Sequence, residues 1–123
     1  MNCSEGKFFG QHLILNCRAG ELAAISCKET LQNFIDELVS TIGMEKHGPA
    51  RIEHFGEEAH LKGYTIDQLI KTSNICFHFA EQSSNFFGDI FSCKRFDIGK
   101  VRECVLKYFH PKEITELCID RGI

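Results

Sequence analysis

The chain has seven cysteines, Cys3, Cys17, Cys27, Cys76, Cys93, Cys104 and Cys118, yet no C-x2-C pair. Structural zinc sites draw ligands from such close pairs, and His54 and His60 are not spaced like helical or finger ligands, so no metal centre is expected. The cysteine count is odd, and Met1-Asn2-Cys3-Ser4-Glu5-Gly6 has no apolar core of secretory length. Reduced thiols and a cytoplasmic location are the expectation. There is no basic block and no aromatic stripe interleaved with arginines, and the net charge is −3. Nucleic acid is therefore not an expected partner. No apolar run approaches the length that spans a bilayer, so a membrane is not expected either. The remaining partner class is a small molecule.

What is present suits one domain spanning 1–123. A chain of 123 residues with 43% hydrophobic content can bury a core without disulfides. His12 to Cys17 reads as a first strand. Ser26-Cys27-Lys28-Glu29 has the form of a capping box, and Leu31, Phe34, Ile35, Leu38, Val39 and Ile42 follow at helical spacing until Gly43. Gly48-Pro49 breaks the chain before a strand at Ala50 to Phe55, and Gly56 to Gly63 reads as a polar loop. Tyr64 to Thr72 fits either a helix start or a strand. Asp97 is placed to cap a second helix that ends before Pro111, and Glu113 to Asp120 alternates like a last strand. The expected fold is α+β: a two-layer α/β sandwich whose antiparallel or mixed sheet carries two helices on one face.

The chemistry-bearing stretch is Thr72-Ser73-Asn74-Ile75-Cys76-Phe77-His78, followed by Asp89-Ile90-Phe91-Ser92-Cys93. In a strand, Ile75, Phe77 and Phe79 share one face, and Asn74, Cys76 and His78 the other. Ser73 has the parity of the apolar set, so it meets His78 only if the chain turns or bulges near Ser73. Phe86 to Cys93 is a second β-prone run, and an antiparallel pairing would return Cys93 toward Ser73. Taken singly, each residue has an ordinary role: a turn serine, a hydrogen-bonded strand histidine, a small buried thiol. A serine, a histidine and a cysteine so arranged could also serve acyl rearrangement, proton transfer and protonation of a carbanion.

With Gly10-Gln11-His12-Leu13-Ile14-Leu15 and Ile52-Glu53-His54-Phe55, these pieces resemble, in order and spacing, the small prokaryotic S-adenosylmethionine decarboxylase proenzymes. The resemblance implies a self-processing lyase of polyamine (spermidine) biosynthesis. Its serine, here Ser73, attacks the carbonyl of Thr72; cleavage between 72 and 73 then leaves a pyruvoyl group that forms a Schiff base with substrate and acts as an electron sink, as PLP does elsewhere. By the same resemblance, His78 is the proton donor in processing and Cys93 the acid that protonates the product. Phe55 is implied to stack on adenine, and Thr65 to replace a serine that assists processing. Glu81 is implied as a ribose ligand, since a carboxylate can accept from two vicinal hydroxyls. A homodimer of the processed protomer, with the site shared across its interface, is implied as well.

Several positions depart from the family pattern. Thr72 stands for glutamate, Asn74 for histidine and Asn16 for a carboxylate. The Trp-Pro after the histidine is missing, and His78-Phe79-Ala80-Glu81 is one residue shorter than the usual path to the glutamate. Two alternatives stay open: a pyruvoyl-dependent decarboxylase of arginine or ornithine, and a non-processing relative that binds a metabolite or regulates a partner.

Overall fold

The computed structural model describes residues 7–123; the Met1 to Gly6 segment, with Cys3, lies outside the described residues. The strands are β1 (Phe8–Arg18), β2 (Arg51–Phe55), β3 (Gly63–Ile70), β4 (Ser73–Ala80), β5 (Asn85–Ser92) and β6 (Glu113–Gly122). The helices are α1 (Leu22–Ile25), α2 (Lys28–Thr41) and α3 (Ile98–Phe109). The strands form one sheet in the order β2-β3-β4-β5-β1-β6, and every neighbouring pair is antiparallel. This is the expected α+β sandwich, with short α1 added to the two anticipated helices.

Helix α2 buries Leu31, Phe34, Ile35, Leu38 and Val39, the stripe that the helical spacing indicates, and Gly43 at φ 72° lets the chain turn away after it. Its start differs from expectation. Ser26 closes α1, donating its hydroxyl to the Leu22 carbonyl at 2.6 Å, so the N-cap of α2 falls to Cys27 and no capping box forms. Helix α3 begins as read: the Asp97 carboxylate accepts from Gly99 N–H at 2.8 Å. The stretch after Gly63, ambiguous on periodicity and favoured as a strand by the family resemblance, is a strand, β3, that ends at Ile70.

One face of the sheet packs on the helices through Leu13, Leu15, Ile66, Ile75, Phe77, Phe79, Phe86 and Ile90, all buried. Phe34 of α2 stands edge-on to Phe77 at 5.1 Å and to Phe109 of α3 at 4.7 Å, a favoured aromatic geometry that ties both helices to β4. Gly88 lies across from Phe77 in the β4–β5 register. A Cβ there would come within 2.4 Å of the Phe77 ring, so only glycine leaves room for it.

The other face carries the alternate residues: Thr65, Asp67 and Leu69 on β3, Asn74, Cys76 and His78 on β4, and Phe87, Asp89 and Phe91 on β5. His12, Ile14 and Asn16 on β1 and Leu117 and Ile119 on β6 continue it. Leu69, Phe87, Leu117 and Ile119 are exposed large hydrophobics, so this open face is mixed rather than polar throughout.

Candidate active site

Ser73 begins β4 directly after a two-residue turn, Lys71-Thr72, with Ile70 and Ser73 paired across it. Such tight hairpins usually place positive φ inside the loop, where it matches the strand twist. Neither Lys71 nor Thr72 has positive φ; the correction falls on Ser73, at φ 155°. Backbone held in such a sparsely populated region stores about 1–3 kcal/mol, here at the serine that the sequence singles out.

Ser73 pairs with Ser92 at the end of β5, which brings Cys93 beside the turn as the hairpin reading anticipated. The Cys93 backbone N–H donates to the Thr72 carbonyl oxygen at 3.0 Å. Cys93 is exposed. Thr72, Ser73 and Cys93 thus form one cluster at one end of the sheet.

His78 is elsewhere. It sits five residues along β4 from Ser73, about 16 Å at the rise of a strand. The bulge that would join them within one chain is absent from β4, whose register with β5 runs unbroken from Ser73 to Ala80. His78 pairs instead with Thr65 across β3–β4, with Nδ1 3.1 Å from Thr65 Oγ1 and Nε2 3.4 Å from Cys76 Sγ. Burial, then the nearby Asp67 and Asp89 carboxylates, push the Cys76 thiol pKa upward. A thiol that keeps its proton can donate to Nε2, which leaves the Nδ1 proton for Thr65.

Thr65 also borders a cleft of about 390 Å³ on the open face, lined by Arg51, Glu53, Phe55, Thr65 and Asp67. Phe55 is 59% exposed and forms an aromatic wall there. The volume is within the usual range for a small-molecule site, roughly 300–1,000 Å³. Phe55, Thr65 and His78 are therefore the second cluster.

Glu81 joins neither. Its carboxylate lies 3.0 Å from His54 Nε2, and His54 has the parity of buried Ile52. Phe55 and Thr65 point to the opposite face. Glu81 lies three residues beyond His78, an odd number, which by strand alternation turns it to the face opposite His78. The carboxylates that do line the cleft are Glu53 and Asp67.

Reading for motifs missed a second aromatic feature. Phe91 lies across from Asn74 on the open face. Phe9, 61% exposed, stacks on it at 6.2 Å, His12 meets it edge-on at 6.0 Å, and the Arg121 guanidinium lies 5.1 Å from the ring centre. The alternation Phe87, Asp89, Phe91 was the signal for two rings on the face that does not pack on helices. His12 Nε2 also lies 3.1 Å from Asp89 Oδ1. Among the described residues, no group of three or more His, Cys, Asp or Glu is arranged to hold a metal ion, and no helix is long and apolar enough to cross a membrane.

The crystal structure of the adenosylmethionine decarboxylase from Aquifex aeolicus has a similar fold, with a TM-score of 0.79 at 19% identity over 95% of this chain and 93% of that one. A comparison with curated protein sequences finds no match. The family model described as S-adenosylmethionine decarboxylase matches residues 11–122. With nearly its whole length matched, the chain belongs to the S-adenosylmethionine decarboxylase family of carboxy-lyases.

Proposed function

We propose that this chain is a self-processing, pyruvoyl-dependent S-adenosylmethionine decarboxylase that splits between Thr72 and Ser73 and works as a homodimer. The observation that carries the reading is the Cys93 N–H aimed at the Thr72 carbonyl oxygen from 3.0 Å. Ser73 Oγ attacks the Thr72 carbonyl carbon, the C–N bond breaks, and the nitrogen takes up the hydroxyl proton, leaving an ester. Between these states, negative charge gathers on the Thr72 oxygen, where a donor already in place stabilises it without reorganisation. Strain at Ser73 raises the starting state and is released once the amide is gone.

The ester then eliminates: Ser73 loses its Cα proton, the Cβ–Oγ bond breaks as a Cα–Cβ double bond forms, and Thr72 departs as a carboxylate that keeps the oxygen. Hydrolysis releases ammonia and leaves the pyruvoyl group at residue 73, at the head of the second chain. The residues at this end of β4 fit that conversion, because Ser73 Oγ makes no hydrogen bond among the described residues. The pyruvoyl ketone supplies the electron sink for loss of carbon dioxide. Cys93, exposed beside it, returns a proton to the substrate carbon.

Processing also calls for His78, and a hydrogen-bonded donor works only within about 3 Å of its target. About 16 Å along β4 excludes His78 of the same chain. A second copy supplies it when two open faces meet about a two-fold axis that lies between the sheets and crosses the strands near Cys76. Such an isologous interface sets each Ser73 end against the partner's Thr65–His78 end. The exposed Leu69, Phe87, Leu117 and Ile119 give it apolar area to bury. Each site then joins Ser73 and Cys93 of one copy to Phe55, Thr65 and His78 of the other.

The Phe55 cleft supports a substrate with a ring to stack. One observation favours the second reading, a smaller amino acid such as arginine or ornithine: Glu81 is engaged by His54 and faces away from the cleft. Carbon dioxide release from S-adenosylmethionine, compared with arginine and ornithine, decides between them. The first test is the intact mass under denaturing conditions. Two fragments divided between Thr72 and Ser73, the second with a pyruvoyl terminus, are expected. One uncleaved mass, stable over days, refutes the proposal in favour of a non-processing metabolite-binding or regulatory relative.

A further inference from the structure

We propose that Ser92 is a positioning residue for the processing reaction, holding the Thr72 acyl group on the Cys93 amide through a relay of hydroxyl hydrogen bonds. The inference rests on reading Thr72–Ser73 as the scissile peptide.

Ser92 is fully buried at the end of β5, opposite Ser73 in the register. Lys94 N–H donates to its Oγ at 3.0 Å. Ser92 Oγ donates to Thr72 Oγ1 at 2.8 Å, and Thr72 Oγ1 donates to the Met44 thioether at 3.4 Å. The direction of the relay follows from its ends: a backbone amide can only donate, a thioether only accept, and each hydroxyl between them has one proton. Met44 Sδ also lies 3.7 Å from Ser92 Oγ, but the Thr72 oxygen is the nearer and better acceptor.

Thr72 is thereby held at two points by consecutive residues, its hydroxyl by Ser92 and its carbonyl by Cys93 N–H. Beyond Cys93 the chain is pinned again. Gln11, buried on β1, donates to the Phe96 carbonyl at 3.2 Å and accepts from Phe96 N–H at 3.3 Å. The amide facing the Thr72 oxygen thus belongs to a segment tied down on both sides.

The relay also separates two adjacent nucleophiles. Thr72 and Ser73 both carry hydroxyls, and each could attack the carbonyl preceding it. Attack by Thr72 on the Lys71 carbonyl would cut one residue early. The Thr72 hydroxyl gives its proton to Met44 and accepts from Ser92, whereas Ser73 Oγ has no hydrogen-bond partner among the described residues. Ser92 therefore sets both the rate at Ser73 and the choice of bond.

The test follows cleavage of freshly made wild-type, Ser92→Ala, Ser92→Thr, Thr72→Val and Ser92→Ala/Thr72→Val chains by intact mass, with circular dichroism to establish folding. Losing a net hydrogen bond of this kind corresponds to about a tenfold slowing. Ser92→Ala and Thr72→Val are each expected to slow cleavage about that much. The double variant should be no slower than either single one, and Ser92→Thr should recover most of the rate. A fragment beginning at residue 72 in Ser92→Ala would support the choice-of-bond role. Cleavage of folded Ser92→Ala at the wild-type rate overturns the inference, as does a double variant whose defects multiply. If Ser92→Ala does not fold, Thr72→Val removes the same bond from the turn, and its cleavage at the wild-type rate is equally decisive. An intact wild-type chain, by contrast, overturns the processing reading itself.

Discussion

If each site is built from two copies, a chain lacking His78 should be rescued by a chain lacking Ser73. The distances make this a sharp test. Ser73 and His78 of one chain are about 16 Å apart along an uninterrupted strand, against a working range of about 3 Å. No rotamer closes that gap, and unpairing β4 to do so would expose Phe77 and Phe79 from the core. His78→Ala alone should therefore remain unprocessed although it keeps Ser73, and Ser73→Ala alone should remain unprocessed although it keeps His78. When the two are co-expressed with distinguishable tags, random pairing makes about half of the dimers mixed. In each mixed dimer, the Ser73 of the His78→Ala chain faces an intact His78. About half of the His78→Ala chains should then split between 72 and 73, while no Ser73→Ala chain splits. Mass spectrometry of the separated tags reads both numbers directly. Cleavage confined to neither chain in the mixture, efficient processing of His78→Ala alone, or a monomer by light scattering would each refute the shared site.

Two further outcomes follow from the same geometry. Phe55→Ala should raise KM for S-adenosylmethionine about tenfold, since stacking a base on an aromatic ring is worth about 1–3 kcal/mol; decarboxylation kinetics that do not change would remove Phe55 from the binding site. Alkaline pH should destabilise the fold through Cys17 and Cys104, whose thiols are pushed up to about 12, chiefly by burial. A raised thiol pKa means that the folded state holds the proton more tightly than the unfolded one. That contribution is complete below pH 9 and is lost as pH climbs toward 12, so the thermal midpoint should fall across this window, and less so in Cys17→Ala/Cys104→Ala measured against its own neutral-pH value.

Where the sequence was legible, one physical signal acted alone. The period of Leu31, Phe34, Ile35, Leu38 and Val39 marks α2 because nothing competes with a single apolar stripe. The capping box misled because Ser26 had two possible partners. Its hydroxyl could accept from the helix that follows or donate to the turn that precedes, and the Leu22 carbonyl of α1 took it. Tyr64 to Thr72 stayed ambiguous on periodicity, and pairing with β4, a tertiary contact, resolved it as strand.

The site divides in the same way. Strand parity indicated that Ser73 and His78 do not meet within a straight strand, and the antiparallel pairing expected of the two β-prone runs returned Cys93 to the start of β4. What parity could not supply was the answer to its own condition. The chain does turn at Ser73, but the turn lies before it, at Lys71-Thr72, and points β4 away with His78 carried to the far side of the sheet. On the proposed reading the acyl donor and the proton donor stand far apart along one straight strand, which is why that reading draws them from two chains. In the proposed dimer, a two-fold axis between the open faces reverses the strands and so sets the Ser73 end of one chain against the His78 end of the other. In that arrangement, the straightness of β4 is the feature that calls for a second copy, and a bulge between Ser73 and His78 would have made that copy unnecessary.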